Sequence, residues 1–174
     1  MALVIRPAEP ADAPRLGHVH VAAWQWAYRG LMPDDVLDSL RPESRARAWK
    51  AWLGPDATED FSAWVAEVDG EIVGFASSSL PRDEDLPEGS VELLSIYLLE
   101  DHVGTGVGSG LLEAAEDAWR KEGAEYAVLW VMEGNARTIR FYERHGWKPD
   151  GESRGEQVAE GTTVPVVRYV KPLA

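Results

Sequence analysis

The 174-residue chain predicts a mixed α/β domain with one open sheet of about seven strands flanked by helices. Three observations carry this reading. The apolar pattern runs at helical period up to Leu53 and alternates, as in strands, from Phe61 onward. Asp69-Gly70 joins two such strands, and Asp-Gly between alternating segments is a strong two-residue hairpin signal. From Val91 to Val131 an apolar strand, a glycine turn, an amphipathic helix and a second apolar strand follow in order, which is a β-α-β crossover.

The elements follow in turn. Leu3 to Arg6 reads as a short strand ended by Pro7 and Pro10. Asp12 caps a helix whose apolar face is Leu16, Val19, Ala23 and Ala27, closed by Gly30. Residues 33 to 40 read as a short helix with Pro33 in its first turn. Residues 42 to 53 form another, with Trp49 and Trp52 on one face. Phe61–Val68 and Glu71–Ser79 are the hairpin strands. An acidic loop with Pro81, Pro87 and Gly89 leads to the strand Val91–Leu99. The crossover helix spans Gly106 to Lys121 and ends at Gly123, and Tyr126–Val131 is the next strand. Asn135 caps a helix through His145 that Gly146 ends. Trp147–Val158 and Thr162–Lys171 form a last strand pair. No repeat, low-complexity tract or linker divides the chain, so a single domain over residues 1 to 174 is expected.

The glycine turn is the most informative stretch. Gly104, Gly106, Gly108 and Gly110 alternate with other residues at the junction of strand and helix. Without a Cβ, backbone N–H groups there face outward and a ligand approaches closely. The helix start adds unpaired N–H groups and the positive end of its dipole. Together they make an anion site, most naturally for a phosphate or pyrophosphate. A dinucleotide fingerprint, G-x-G-x-x-G, fails because its third glycine falls on Leu111 or Ser109. A Walker loop fails for want of lysine. A G-x-S-x-G elbow fails because Val107 and Leu111 stand two residues either side of Ser109.

Composition narrows the partners. Formal net charge is −13 and cysteine is absent. The basic footprint of a nucleic-acid binder is missing, and an anionic membrane would repel such a surface. A cationic small substrate is favoured by an acidic cleft, although an acidic surface also serves solubility. No secretory signal and no stretch of transmembrane length is seen. Without cysteine there are no disulfides, thiolate metal sites or sulfur nucleophiles, and a cytoplasmic setting is the simplest expectation. His18, His20, His102 and His145 have no partners at ligand spacing, so no metal is expected.

The stretch Val103-Gly104-Thr105-Gly106-Val107-Gly108, with Asn135-Ala-Arg-Thr-Ile-Arg-Phe-Tyr142-Glu-Arg-His-Gly146-Trp147 after the next strand, resembles the GNAT superfamily of acyl-CoA-dependent N-acetyltransferases. The resemblance is close over Val91 to Trp147 and looser over the first strand and helix. It implies the GNAT fold, acetyl-CoA as co-substrate, and a small-molecule or peptide amine as acceptor, with a homodimer a common assembly. The family's pattern has Arg or Gln where this chain has Val103. The glycine amides then become the main holders of the pyrophosphate, with lower affinity expected.

The resemblance also assigns site residues. Val103, Gly104, Thr105, Gly106, Val107, Gly108 and Ser109 would hold the pyrophosphate. The strand Ile96-Tyr97-Leu98 would splay from its parallel neighbour, pair its backbone with the pantetheine arm and aim an N–H near Leu98 at the thioester oxygen. Asn135, a helix cap on any reading, would touch that arm. Tyr142 would donate to the leaving sulfur, although with Ile139 it also reads as a core stripe. A free thiol has a pKa of roughly 8.5, so this donor should help without being indispensable. Glu92 would act as base through water; otherwise it reads as a solvent-facing carboxylate on an edge strand. Trp24 and Tyr28 would wall the acceptor groove, where aromatic rings suit cationic amines, while burial against the sheet is the competing fate. Beside direct acetyl transfer stand two alternatives: an acyl-CoA-binding regulatory module of little or no activity, suggested by Val103, and a nucleotide-phosphate binder of another class.

Overall fold

Asp69 and Gly70 both take positive φ, 52° and 86°, in the computed structural model, which describes residues 1–174. Those angles close the two-residue hairpin between β2 (Ser62–Val68) and β3 (Glu71–Ser79). Before it come β1 (Leu3–Pro7), α1 (Ala13–Ala27), α2 (Asp34–Asp38) and α3 (Pro42–Leu53). After it come β4 (Ser90–Leu98), α4 (Val107–Lys121), β5 (Tyr126–Met132), α5 (Ala136–Arg144), β6 (Lys148–Ala159) and β7 (Thr162–Pro172). Short 3-10 turns at Pro10–Asp12 and Glu100–His102 are additions to the expected order.

The seven strands form one sheet in the order β1-β2-β3-β4-β5-β7-β6, with only β4 and β5 parallel. The reversal of β6 and β7 follows from their side chains. β7 carries the buried Val164, Val166 and Tyr169 and takes the inner place beside β5. β6 is polar along its first half and includes Pro149 and Gly151, residues suited to an unpaired edge.

Side chains alternating along β2 feed two cores. Trp64, Ala66 and Val68 join Leu111, Leu112, Ala115 and Trp119 of α4 on one face. Ala63 and Val65 join Leu16, Val19 and Trp49 of α1 and α3 on the other. Each large apolar side chain withdrawn from water there contributes about 1.5–3 kcal/mol. Gly17 sets the α1–α3 spacing, since a Cβ on it would stand 2.5 Å from the Pro42 carbonyl oxygen. A third cluster ties the α1–α2 segment to the far side of the sheet: Met32 and Leu37 pack with Met132, Val164 and Val166.

The feature that positions the site lies between β4 and β5. Their pairing runs only from Ser90↔Tyr126 to Leu93↔Leu129. Beyond it, β4 bulges: Ser77 faces Ser95 and Ser78 faces Leu93, leaving Leu94 without a counterpart on β3. A bulge bends and twists the strand that carries it, and here β4 leaves β5.

Candidate active site

The consequence of the splay can be followed through strand alternation. The Leu99 N–H bonds the Val73 carbonyl at 2.9 Å, so that pair is hydrogen-bonded, and with it Tyr97–Phe75. The intervening Ile96 and Leu98 therefore turn their N–H and C=O groups toward the widening gap. The Leu98 carbonyl is met there by the Trp26 indole N–H at 3.0 Å. Tyr97 does the opposite of what was expected. Its backbone serves β3, and its side chain joins the α1 face.

A cavity of about 580 Å³ fills and extends this gap. One end is lined by Val103, Gly104, Gly106, Gly108 and Ser109. Gly104 and Gly106 have φ of 78° and 93°, and no atom lies within 4 Å of where their Cβ atoms would be. The turn is thus open outward, and Gly106 delivers the chain into α4, whose first N–H groups have no partner within the helix and no side-chain cap. Val107 is fully buried in the core beneath α4, and Thr105 is exposed with its hydroxyl on the His102 carbonyl at 2.6 Å. Neither lines the cavity. The Ser109 hydroxyl is engaged by His145 Nε2 at 3.0 Å, while His145 Nδ1 meets the Phe141 carbonyl at 2.8 Å. These bonds lock the start of α4 to the end of α5.

α5 supplies groups that the motifs alone left unnoticed. Arg137 and Arg144 both line the cavity, and the Arg137 guanidinium lies 5.6 Å from the Trp26 ring centre. They bring the positive charge that Val103 lacks. The signal was visible as three arginines in the motif helix, but a one-dimensional pattern did not say which face they occupy. Asn135 lines the cavity as well, and its cap to the Thr138 N–H is long at 3.5 Å.

Tyr142 is both a core residue and a cavity-lining one. Its ring packs in the core with Trp147 and Ile139, and the residue also lines the cavity. Burial, followed by the nearby Tyr28, raises its pKa well above the ordinary phenol value. The group is accordingly a neutral proton donor throughout the physiological range.

The other end is aromatic. Trp24, Tyr28, Tyr97 and Trp130 line it with Met32, Val158, Val164 and Val166. Tyr28 and Tyr97 share a hydroxyl–hydroxyl hydrogen bond of 2.7 Å. Desolvation raises both pKa values, most strongly for Tyr97. The Trp24 indole N–H is buried without a partner. Glu156 of β6 is the one carboxylate lining the cavity.

Glu92 is placed differently from either expectation. β4 is a central strand, and Glu92 is 1% exposed. Its carboxylate accepts the Arg82 backbone N–H at 3.2 Å and the Arg82 guanidinium at 2.9 Å. It does not line the cavity. A carboxylate deep in a sheet requires such a partner, and the residue that supplies it sits in the acidic loop, ten positions away in sequence.

That loop is strapped down over Trp130. Arg168, 5% exposed, bonds Asp85 through both terminal nitrogens and Asp150 through Nε, the latter at 2.7 Å. Asp83 accepts the Trp130 indole N–H at 2.9 Å and the Arg154 guanidinium at 3.1 Å. Arg154 stacks 4.0 Å from the Trp130 ring centre. No group of three or more histidines, aspartates or glutamates is arranged to hold a metal ion.

With this geometry in place, comparison with known proteins is decisive. The model of the acetyltransferase (GNAT) family matches residues 20–147. The chain belongs to that family. By enzyme class it is an acyltransferase. An uncharacterised N-acetyltransferase of Bacillus subtilis, YuaI, is 31% identical over 82% of this chain and 79% of its own length. A spermidine N(1)-acetyltransferase of Thermoplasma acidophilum is 24% identical over 92% of this chain and 97% of its own. Among solved structures, the PaiA N-acetyltransferase of Thermoplasma acidophilum in complex with coenzyme A superimposes with a TM-score of 0.73 at 21% identity, covering 99% of each chain.

Proposed function

We propose that the protein transfers an acetyl group from acetyl-CoA directly to the primary amine of a small molecule or peptide, both substrates being bound together. The observation that carries this reading is the continuity of the cleft. An open glycine turn, two arginines of α5, the outward-turned backbone of Ile96 and Leu98 and a set of aromatic rings all line one cavity. The same features fit acetyl-CoA. The turn and α4 start suit the pyrophosphate, Arg137 and Arg144 suit its phosphates, and Ile96 and Leu98 offer strand-like hydrogen bonds to the pantetheine amides.

The reaction is balanced with the groups present. The neutral amine nitrogen attacks the thioester carbonyl carbon, forming C–N and breaking C–S. The amine sheds one proton and the departing sulfur gains one. Tyr142, neutral and at the cavity wall, gives its hydroxyl proton to the sulfur and recovers one from the amine side through water. The Leu98 N–H faces the charge that develops on the carbonyl oxygen. Glu92 acts at one remove: it fixes Arg82, whose guanidinium stands 3.8 Å from Glu156 at the cavity edge. No covalent acyl-enzyme on sulfur is available to a chain without cysteine.

The test is thiol release from acetyl-CoA by the purified protein against a panel of primary amines, with calorimetric titration of CoA and of ATP. Saturable, amine-dependent release with CoA binding and no ATP binding is expected. CoA binding without release by any amine would establish a binding module instead. ATP binding without CoA binding would overturn the reading.

A further inference from the structure

The acceptor end of the cleft has a charge pattern that selects among amines. On the side built by β6, β7 and the α1–α2 segment, Glu156 is the only charged residue lining the cavity, the two lining arginines both belonging to α5. Its carboxylate has no hydrogen-bonded partner. Arg82 and Arg154 approach it at 3.8 and 3.9 Å, but each is committed elsewhere at shorter range, Arg82 to Glu92 at 2.9 Å and Arg154 to Asp83 at 3.1 Å. The surrounding network, with Arg168 as its third cation, gathers the five carboxylates Glu92, Glu156, Asp83, Asp85 and Asp150 around three guanidinium groups. An excess of two negative charges therefore stands behind the chamber, and no uncommitted cation faces into it.

The rest of the chamber is apolar and aromatic. Tyr28, Trp130, Met32 and Val164 supply large flat or aliphatic surfaces. Rings placed near an ammonium attract it electrostatically, by about 0.5–1 kcal/mol at exposed sites and more when desolvated. A carboxylate on the carbon next to the amine would instead be brought against Glu156, where the nearby Arg82 and Arg154 are already engaged at shorter range by Glu92 and Asp83, and a like-charge contact of this kind is a means of rejection.

We infer that Glu156 draws in the acceptor as its ammonium and takes the proton that must leave, passing it to solvent, before the neutral nitrogen turns to the thioester, and that the acceptor class is arylalkyl primary amines with no carboxylate beside the amine, free α-amino acids being rejected. This rests on the acetyl-transfer reading above and narrows it. Glu156 is in this view a specificity-determining binding residue. Its side chain is 36% exposed, so its substitution should not threaten the fold.

The experiment compares matched pairs, tryptamine with tryptophan and phenethylamine with phenylalanine, by thiol release from acetyl-CoA. The wild-type protein should prefer each amine to its carboxylated counterpart by at least about 10² in kcat/KM, of the order expected when a charged group is left unpaired in a built site. Glu156→Gln should raise KM for the amines by about ten-fold or more and narrow the preference, with calorimetric acetyl-CoA affinity unchanged as a check on the fold and the cofactor end. Equal or better use of the amino acids, an unaltered KM in Glu156→Gln, or no use of either aryl amine by a protein that binds acetyl-CoA would overturn the inference alone. Loss of acetyl-CoA binding by the wild-type chain would instead remove the acetyl-transfer reading on which it rests.

Discussion

Tyr28, at the end of α1, and Tyr97, on the splayed half of β4, meet hydroxyl to hydroxyl at 2.7 Å. The bond joins two elements 69 residues apart and makes one continuous aromatic wall with Trp24. The pair lies in the aromatic lining of the cleft. Tyr28→Phe removes one hydroxyl and leaves the rings packed, at a stability cost of about 1 kcal/mol. It should raise KM for the amine several-fold with acetyl-CoA affinity unchanged, as steady-state kinetics beside calorimetry would show. A matching loss of acetyl-CoA affinity would place the pair at the wrong end.

Tyr142→Phe should lower kcat more than it weakens acetyl-CoA binding. The hydroxyl matters when charge builds on sulfur. Removal of one donor in comparable sites costs on the order of 10²-fold or more, and the loss here should be smaller because a thiolate leaves readily. Unchanged turnover at saturation, with chemistry rate-limiting, would reduce Tyr142 to its packing role beside Trp147.

Gly106 holds φ at 93° where α4 begins. Space for a Cβ exists, so the penalty of Gly106→Val is conformational, about 1–2 kcal/mol for an L residue in this region. The strained turn should relax and withdraw its N–H groups. CoA affinity should fall at least ten-fold in a variant that still folds by circular dichroism. Undiminished affinity would dissociate the turn from the pyrophosphate.

Arg137 and Arg144 should carry the electrostatic share of CoA binding that Val103 does not. Arg137→Ala is expected to weaken CoA several-fold at low salt, and Val103→Arg to strengthen it. Both effects should shrink as salt rises, because partly exposed pairs are screened. Titration calorimetry at low and high ionic strength checks this; a flat response in both variants would remove these positions from the phosphate site.

Breaking the strap of the acidic loop should be costly. Arg168→Met leaves Asp150, which is 20% exposed, without its cation and frees the more exposed Asp85, so stability should fall. Urea unfolding should show the loss, and the amine KM should rise because the loop covers Trp130 and positions Arg82. His20 gives a second stability signature. Burial, with a smaller contribution from the positive charge of Arg45, lowers its pKa from 6.5 to about 3. Its Nδ1 must stay unprotonated to accept the Trp49 indole N–H at 3.1 Å. Between those values the unfolded chain binds a proton that the folded chain refuses. The contribution is therefore complete above pH 6.5 and is lost as pH falls toward 3, by up to about 1.4 kcal/mol per pH unit. His20→Gln keeps an acceptor for Trp49 and should flatten the dependence between pH 6.5 and 5, above the range of the carboxylates. An unaltered slope in urea titrations would exclude His20 as its source.

The sequence alone determined what depends on near neighbours. Asp69-Gly70 dictated a hairpin because its two residues accept positive φ. The alternating glycines before Leu111 dictated an open turn feeding a helix, and Asn135 with Gly146 bounded α5. The motif over residues 103 to 147 carried the family. What the tertiary structure decided depends on groups far apart in the chain. Val103 reads as a deficit until Arg137 and Arg144 arrive from α5, more than thirty residues later. Glu92 reads either as a base working through water or as a solvent-facing carboxylate on an edge strand until β4 proves central, and desolvation then demands Arg82 from the acidic loop. Tyr97 reads as a cofactor-side residue until the bulge at Leu94 and the register with β3 fix which way its backbone bonds. Glu156 carries no local signal, being one acid in a polar edge strand. It enters the cleft only because the apolar β7 takes the place beside β5 and sets β6 at the rim. Backbone conformation is set within a few residues, whereas the partner of a buried charge and the facing of a strand are set by whatever the sheet brings beside it.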